Sequence, residues 1–115
     1  MDYEQLCERI FDLHGQIRYV AIFSDKFEKI AGGMKKDLEP LTPSSITRLS
    51  VEQSFDRWTT RLQMGEYIGM PKYAIAEYEK LKRFTFRVDD DKLLLVSTEL
   101  EVKSDFLVEG ILKLI

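Results

Sequence analysis

The chain has 115 residues with 17 Lys and Arg against 20 Asp and Glu, a formal net charge of −3. That length fits one domain, which by size scaling buries about two thirds of the surface its unfolded chain exposes, so a core can form without a covalent staple. The mixed, mildly acidic charge gives no electrostatic case for sequence-independent nucleic-acid binding, no apolar run is long enough to cross a bilayer, and the single Cys7 excludes an internal disulfide. With no basic, apolar leader in the sequence, a reducing cytoplasmic setting is the expectation.

Residues 2–13 place Tyr3, Leu6, Cys7, Ile10 and Leu13 at three- and four-residue intervals, which predicts an amphipathic helix. Asp2 is its expected amino-terminal cap and Gly15 its expected left-handed stop. Cys7 falls on the apolar side, where a buried structural thiol is the plain reading, since a nucleophile needs a base and a positive field nearby. His14, the only histidine, stands at the helix end with no companion residues spaced for catalysis or metal binding.

Residues 17–24, IRYVAIFS, are apolar almost throughout and rich in β-formers, as a strand covered on both faces would be. After a turn at Asp25 and Lys26, residues 27–34 predict a second strand that Lys29, Gly32 and Gly33 demote to an edge. The glycine pair lacks the GxxxxGK[ST] spacing and the following helix of a phosphate-cradling loop.

Thr42 as cap and Pro43 at the first helical position open a second helix, expected to run to about Met64, before Gly65. Val51, Phe55, Trp58 and Leu62 form an apolar stripe for the sheet. A second line, Ile46, Leu49, Gln53, Arg57, Thr60 and Met64, is apolar at its ends and polar in the middle. Such a line is either a half-solvated flank or a surface for another subunit, where Arg, Met and aliphatic residues are favoured.

Residues 64–72 then predict the longest loop, and Tyr67, Ile68 and Met70 within it are apolar enough to tuck back or to meet a partner. Three strands follow: an edge strand at residues 73–79, an alternating strand at residues 83–88 with Phe84, Phe86 and Val88 on its dry side, and a doubly covered strand at residues 93–96. Asp89, Asp90 and Asp91 fall between the last two and read as a solvated turn, since they lack the further carboxylates and glycine of a calcium loop. Ser104 or Asp105 caps a last helix whose Phe106, Leu107, Val108, Ile111, Leu112, Leu114 and Ile115 require extensive cover.

The expected class is α+β, with element order α-β-β-α-β-β-β-α. The most apolar strands, the first and the fifth, belong side by side, so the expected arrangement is a single five-stranded antiparallel sheet of order 2-1-5-4-3 with helices on both faces. GQIRYVAIFSDKFEKIAGG resembles the first hairpin of the Roadblock (dynein light-chain Roadblock-type) family, and YAIAEYEKLKRFTFRVDDDKLLLVS resembles its strand-three to strand-five meander. The resemblance spans nearly the whole chain, and the YAIAEYEKLKRFTF stretch is most similar to a divergent archaeal branch of small proteins. Profilin-like and longin folds share much of the sheet, but longins lack the leading helix.

The resemblance implies a non-catalytic homodimer that scaffolds or regulates a small Ras-like GTPase, or that joins another Roadblock-like subunit in a larger complex, with no cofactor and no metal. Read from the residues alone, one histidine and one cysteine without partners make most catalytic constellations impossible. The expected dimer surface combines Ile46, Leu49, Gln53, Arg57, Thr60 and Met64 of the second helix with Tyr73, Ile75 and Glu77 of the third strand. An alternative from another class is a sensor holding a small molecule between sheet and helix, which requires a cavity. Nucleic-acid binding through Lys80, Lys82, Arg83 and Arg87 ranks last, for want of a basic domain or an aromatic platform.

Overall fold

A computed structural model describes residues 1–115. Its elements are α1 (Tyr3–Phe11), β1 (Ile17–Ser24), β2 (Lys29–Met34), α2 (Ser44–Ile68), β3 (Ala74–Glu77), β4 (Lys82–Asp89), β5 (Lys92–Thr98) and α3 (Ser104–Leu112). The strands form one antiparallel five-stranded sheet in the order β2-β1-β5-β4-β3, as the hydrophobic pattern predicts. The central pair earns its place by having no polar face: Val20 and Ile22 of β1 and Leu94 and Val96 of β5 pack on one side, Ala21, Phe23, Leu93 and Leu95 on the other.

The first side is the larger core. Leu6, Cys7 and Ile10 of α1 and Leu107, Val108 and Ile111 of α3 close over Phe84, Phe86, Val20, Ile22, Leu94 and Val96. The second side is thinner, with Val51 and Trp58 of α2 as its only fully buried helical side chains packed on Ala21, Phe23, Leu93 and Leu95. Phe55 lies at the margin, its ring meeting Phe27 edge-on at 5.7 Å. Leu62, the last residue of the expected stripe, is half-buried.

Several boundaries differ from expectation, each for a local reason. The β2 strand begins at Lys29, because Phe27 takes a left-handed conformation (φ +65°) that closes the hairpin, with its N–H on Ser24 O at 2.8 Å. The α2 helix starts after Pro43 without a side-chain cap, and Thr42 turns its hydroxyl to Thr47 at 2.7 Å instead. It also continues through Gly65 to Ile68, so Tyr67 and Ile68 are helical and the loop is shorter than expected. Gly65 is buried under Met70, whose Cε would lie 2.5 Å from a Cβ at that position. That packing outweighs the roughly 1 kcal/mol that glycine costs inside a helix. The stop is Gly69, at φ +92° with its N–H on Gly65 O, followed by Pro71.

Asp2 caps α1 by accepting from Gln5 N at 3.1 Å, but Gly15 is not its stop: the helix closes at Asp12 in right-handed geometry. Neither Ser104 nor Asp105 caps α3, whose preceding residue is Lys103; Lys82 Nζ instead ties the turn to β4 through Val102 O at 2.7 Å and Ser104 Oγ at 3.2 Å. Cover on α3 is also less complete than expected, since Phe106 and Leu112 remain exposed.

Candidate interaction surface

The 25 residues of α2 span about 37 Å at 1.5 Å per residue, long enough to cross the sheet and overhang it. Its outward line is open along its length: Ile46, Leu49 and Met64 are each about half exposed, and Gln53, Arg57 and Thr60 are exposed between them. Sequence reading missed two residues of this line. Tyr67 and Ile68, 86% and 75% exposed, continue the three- and four-residue spacing beyond Met64 and make the carboxyl end of the helix strongly apolar. The spacing itself carried the signal; Gly65 masked it.

Edge strand β3 is paired to β4 alone, through Ala74↔Thr85, Ile75↔Phe84, Ala76↔Arg83 and Glu77↔Lys82. Its other row of backbone groups is free. This register splits the expected dimer surface between the two faces of the sheet. Ile75 lies on the Phe84 side, away from α2, and Tyr73 is there too, its ring 6.1 Å from that of Phe86. Ala74 and Ala76 point toward α2 and wall a small cleft with Ser54, Arg57, Arg61, Arg83 and Thr85. Tyr73, Ile75 and Glu77 therefore do not share a face with Ile46, Leu49, Gln53, Arg57, Thr60 and Met64; the two sets adjoin only around the open edge. The cause is the turn at Tyr78, whose N–H bonds Leu81 O at 2.8 Å and so sets which β3 residues face Phe84.

Two of the three arginines of this cleft are held by neighbours. Arg61 stacks over the Trp58 ring at 5.7 Å, and Arg83 donates to Ser50 Oγ. Lys82 is engaged at the start of α3, which leaves Lys80 as the lysine free to answer Glu77 or Glu79 across the edge.

The residues weighed for chemistry stand apart. Cys7 is buried in the α1 core, and that burial, with Glu4 and Glu8 adding repulsion, pushes its thiol up to about 11. His14 Nδ1 accepts from Gln16 N at 3.0 Å, and its ring meets Phe106 edge-on. Asp89 accepts from Tyr3, Asp90 from Arg87 and Asp91 from Lys92, so each carboxylate of the turn has its own partner rather than a shared centre. The amide of Asp90 and the Tyr3 hydroxyl hold Asp89 below the usual carboxylate range. Gly32 and Gly33 lie in β2 against Ala21 and Val20, their backbone part of the ladder.

The thiol gives a direct check on this arrangement. At pH 8 Ellman's reagent should leave native Cys7 essentially unmodified for hours and label it fully once guanidinium unfolds the chain; rapid native labelling would contradict its burial. Because the folded state holds the thiol proton more tightly, its contribution to stability is complete below the thiol's ordinary value of 9.0 and declines as pH rises toward about 11.

No protein-family model matches the sequence, and no curated protein matches it by sequence. Solved structures match it by shape. The Roadblock/LC7 domain from Streptomyces avermitilis superposes with a TM-score of 0.72 at 12% identity, covering 99% of this chain and 92% of that one. MglB of Myxococcus xanthus gives 0.70 at 12% identity, covering 96% and 86% of the respective chains. A structure of MglB with a tetrameric arrangement gives 0.74 at 11% identity, covering 96% and 79%. At these identities the likeness establishes the fold, and that fold is the Roadblock/LC7 fold that the two quoted segments resemble.

Proposed function

We propose that this protein is a non-catalytic homodimeric scaffold that regulates a small Ras-like GTPase, alone or within a larger complex. The observation that carries this reading is the free backbone edge of β3 beside an α2 line with apolar ends. A two-fold axis through that edge pairs β3 with its copy in antiparallel fashion and extends the sheet across both chains. The α2 line is nearly symmetric about Arg57, so an antiparallel copy sets Ile46 and Leu49 against Met64, Tyr67 and Ile68 of the second chain. Gln53 and Thr60 then face each other near the axis and select the register. The shape likeness to an MglB with a tetrameric arrangement supports self-association, and the Roadblock resemblance supports a GTPase partner.

An interface of this kind buries about 1,200–2,000 Å² in total. In size-exclusion chromatography with light scattering, wild type should run at twice the chain mass of 13.5 kDa, and Leu49→Glu should run as a monomer. Lys26→Glu on the far hairpin, Cys7→Ala and His14→Ala should all remain dimeric. A monomeric wild type at high micromolar concentration sinks the reading. The GTPase half is tested by co-elution with a Ras-like GTPase in its triphosphate state, lost in Leu49→Glu.

A further inference from the structure

Between the amino-terminal half of α2 and the sheet lies a groove of about 1070 Å³, just above the usual range of about 300–1,000 Å³ for small-molecule sites. Its lining includes no residue of β3, but it shares Ile46, Leu49, Gln53 and Arg57 with the outward line of α2. One end is apolar, lined by Phe27, Leu41 and Leu49 above the buried Phe23, Val51 and Leu95. The other end is marked by the register row Tyr19↔Ser97↔Arg83, with Ser50 above it and the turn residue Lys80 at its border. This polarity follows from the strands: on the α2 face, β1 and β5 change from Phe23 and Leu95 to Tyr19 and Ser97 over a few residues.

The charge on the wall runs against that of the chain. The protein carries more acidic than basic residues, yet the groove collects Arg18, Lys29, Arg48, Arg57, Lys80 and Arg83 against Glu79 alone. Arg18 and Arg48 are neutralised by Glu99 and Glu52, which lie outside the groove. Lys29, Arg57, Lys80 and Arg83 have no carboxylate partner. Charges of one sign on low-dielectric walls focus a field on whatever enters. Arg83 is also fixed in place, half-buried with its guanidinium on Ser50 Oγ, so binding an anion there costs little side-chain ordering. Beside it the Tyr19 hydroxyl is kept protonated by burial, against the pull of Arg83, and remains a donor.

We propose that this groove binds a single-chain amphipathic anion, its carboxylate or phosphate head at Arg83, Lys80 and Tyr19 and its apolar body along Phe27, Leu41 and Leu49. A purely apolar ligand leaves Arg83 and Lys80 without a counter-charge, and a small hydrophilic anion leaves the apolar end unfilled. Arginine takes either oxyanion in bidentate fashion, so the two heads share one chemistry and differ in the measured preference.

The test is calorimetric titration of the full chain with dodecanoate, dodecyl phosphate and dodecylamine, each below its micelle concentration. One or both anions should saturate at one per chain, and the tighter of the two identifies the head. Dodecylamine, with the same tail and opposite charge, should bind at least tenfold more weakly. Arg83→Gln should weaken the anion at least tenfold, and Lys80→Glu, an exposed change that leaves the core untouched, should weaken it several-fold. Failure of both anions to saturate, equal binding of dodecylamine, or unchanged affinity in Arg83→Gln and Lys80→Glu overturns the proposal. Arg83 belongs neither to the α2 line nor to β3, so anion binding by a monomeric chain supports the groove while removing the dimer, and a dimer that ignores all three probes does the reverse.

Discussion

Trp58→Ala should destabilise the fold by about 3–5 kcal/mol, the cost of deleting a large, fully enclosed aromatic side chain. Trp58 is 2% exposed, and with Val51 it supplies nearly all the buried contact between α2 and the sheet. The opposite face is held by two helices and has reserves; this one does not. Against the 5–15 kcal/mol total of a typical domain such a loss is a large fraction, and at this chain length it lowers the melting temperature by about 12–20 °C. Its indole Nε1 donates to Thr85 Oγ1 at 3.0 Å, so Trp58→Phe separates packing from hydrogen bonding and should cost clearly less than the alanine change. As the only tryptophan, Trp58 also reports on itself: native emission should be blue-shifted and should move to the red on unfolding. Native emission like that of indole in water, or an alanine variant within about 1 kcal/mol of wild type, would mean that α2 is anchored by something else.

The order of the sheet was legible because burial on both faces leaves a compositional mark. Runs without polar alternation, IRYVAIFS and residues 93–96, had to be central, and the glycines and lysines of β2 and the charges after β3 had to be peripheral. What escaped the sequence depended on contacts between residues that no short-range pattern links. Gly65 reads as a helix end until Met70 is seen folded over it, and with the end misplaced the apolar pair Tyr67 and Ile68 was assigned to a loop. The face on which Ile75 lies depends on a turn register that a single residue of slippage reverses. The groove was harder still. Its cations come from β1, β2, α2, the turn after β3 and β4, and they form a one-signed wall only when those five segments are brought together.

Gly32→Ala should be as damaging as the loss of Trp58, although it adds only one methyl group and lies in a strand at the edge of the sheet. Gly32 sits at φ +84°, where a residue with a Cβ pays about 1–3 kcal/mol for the backbone alone. A Cβ built there falls 2.0 Å from Val20 O and 2.9 Å from Ala21 Cα, both backbone atoms of central strand β1, so nothing flexible can give way. Relief requires β2 to separate from β1, and that loosens the adjoining contact in which Gly32 N–H donates to Glu4 Oε1 at 3.2 Å, the tie between β2 and α1. A total of at least about 3 kcal/mol is expected, read as a shift of the urea midpoint with an unchanged slope. Gly15→Ala is the matched control: no atom lies within 4 Å of its Cβ and its φ is not positive, so stability should stay within about 0.5 kcal/mol or rise slightly as the unfolded chain loses freedom. Should Gly32→Ala unfold at the wild-type midpoint, the close approach of β2 to β1 and the left-handed turn of that strand are both wrong.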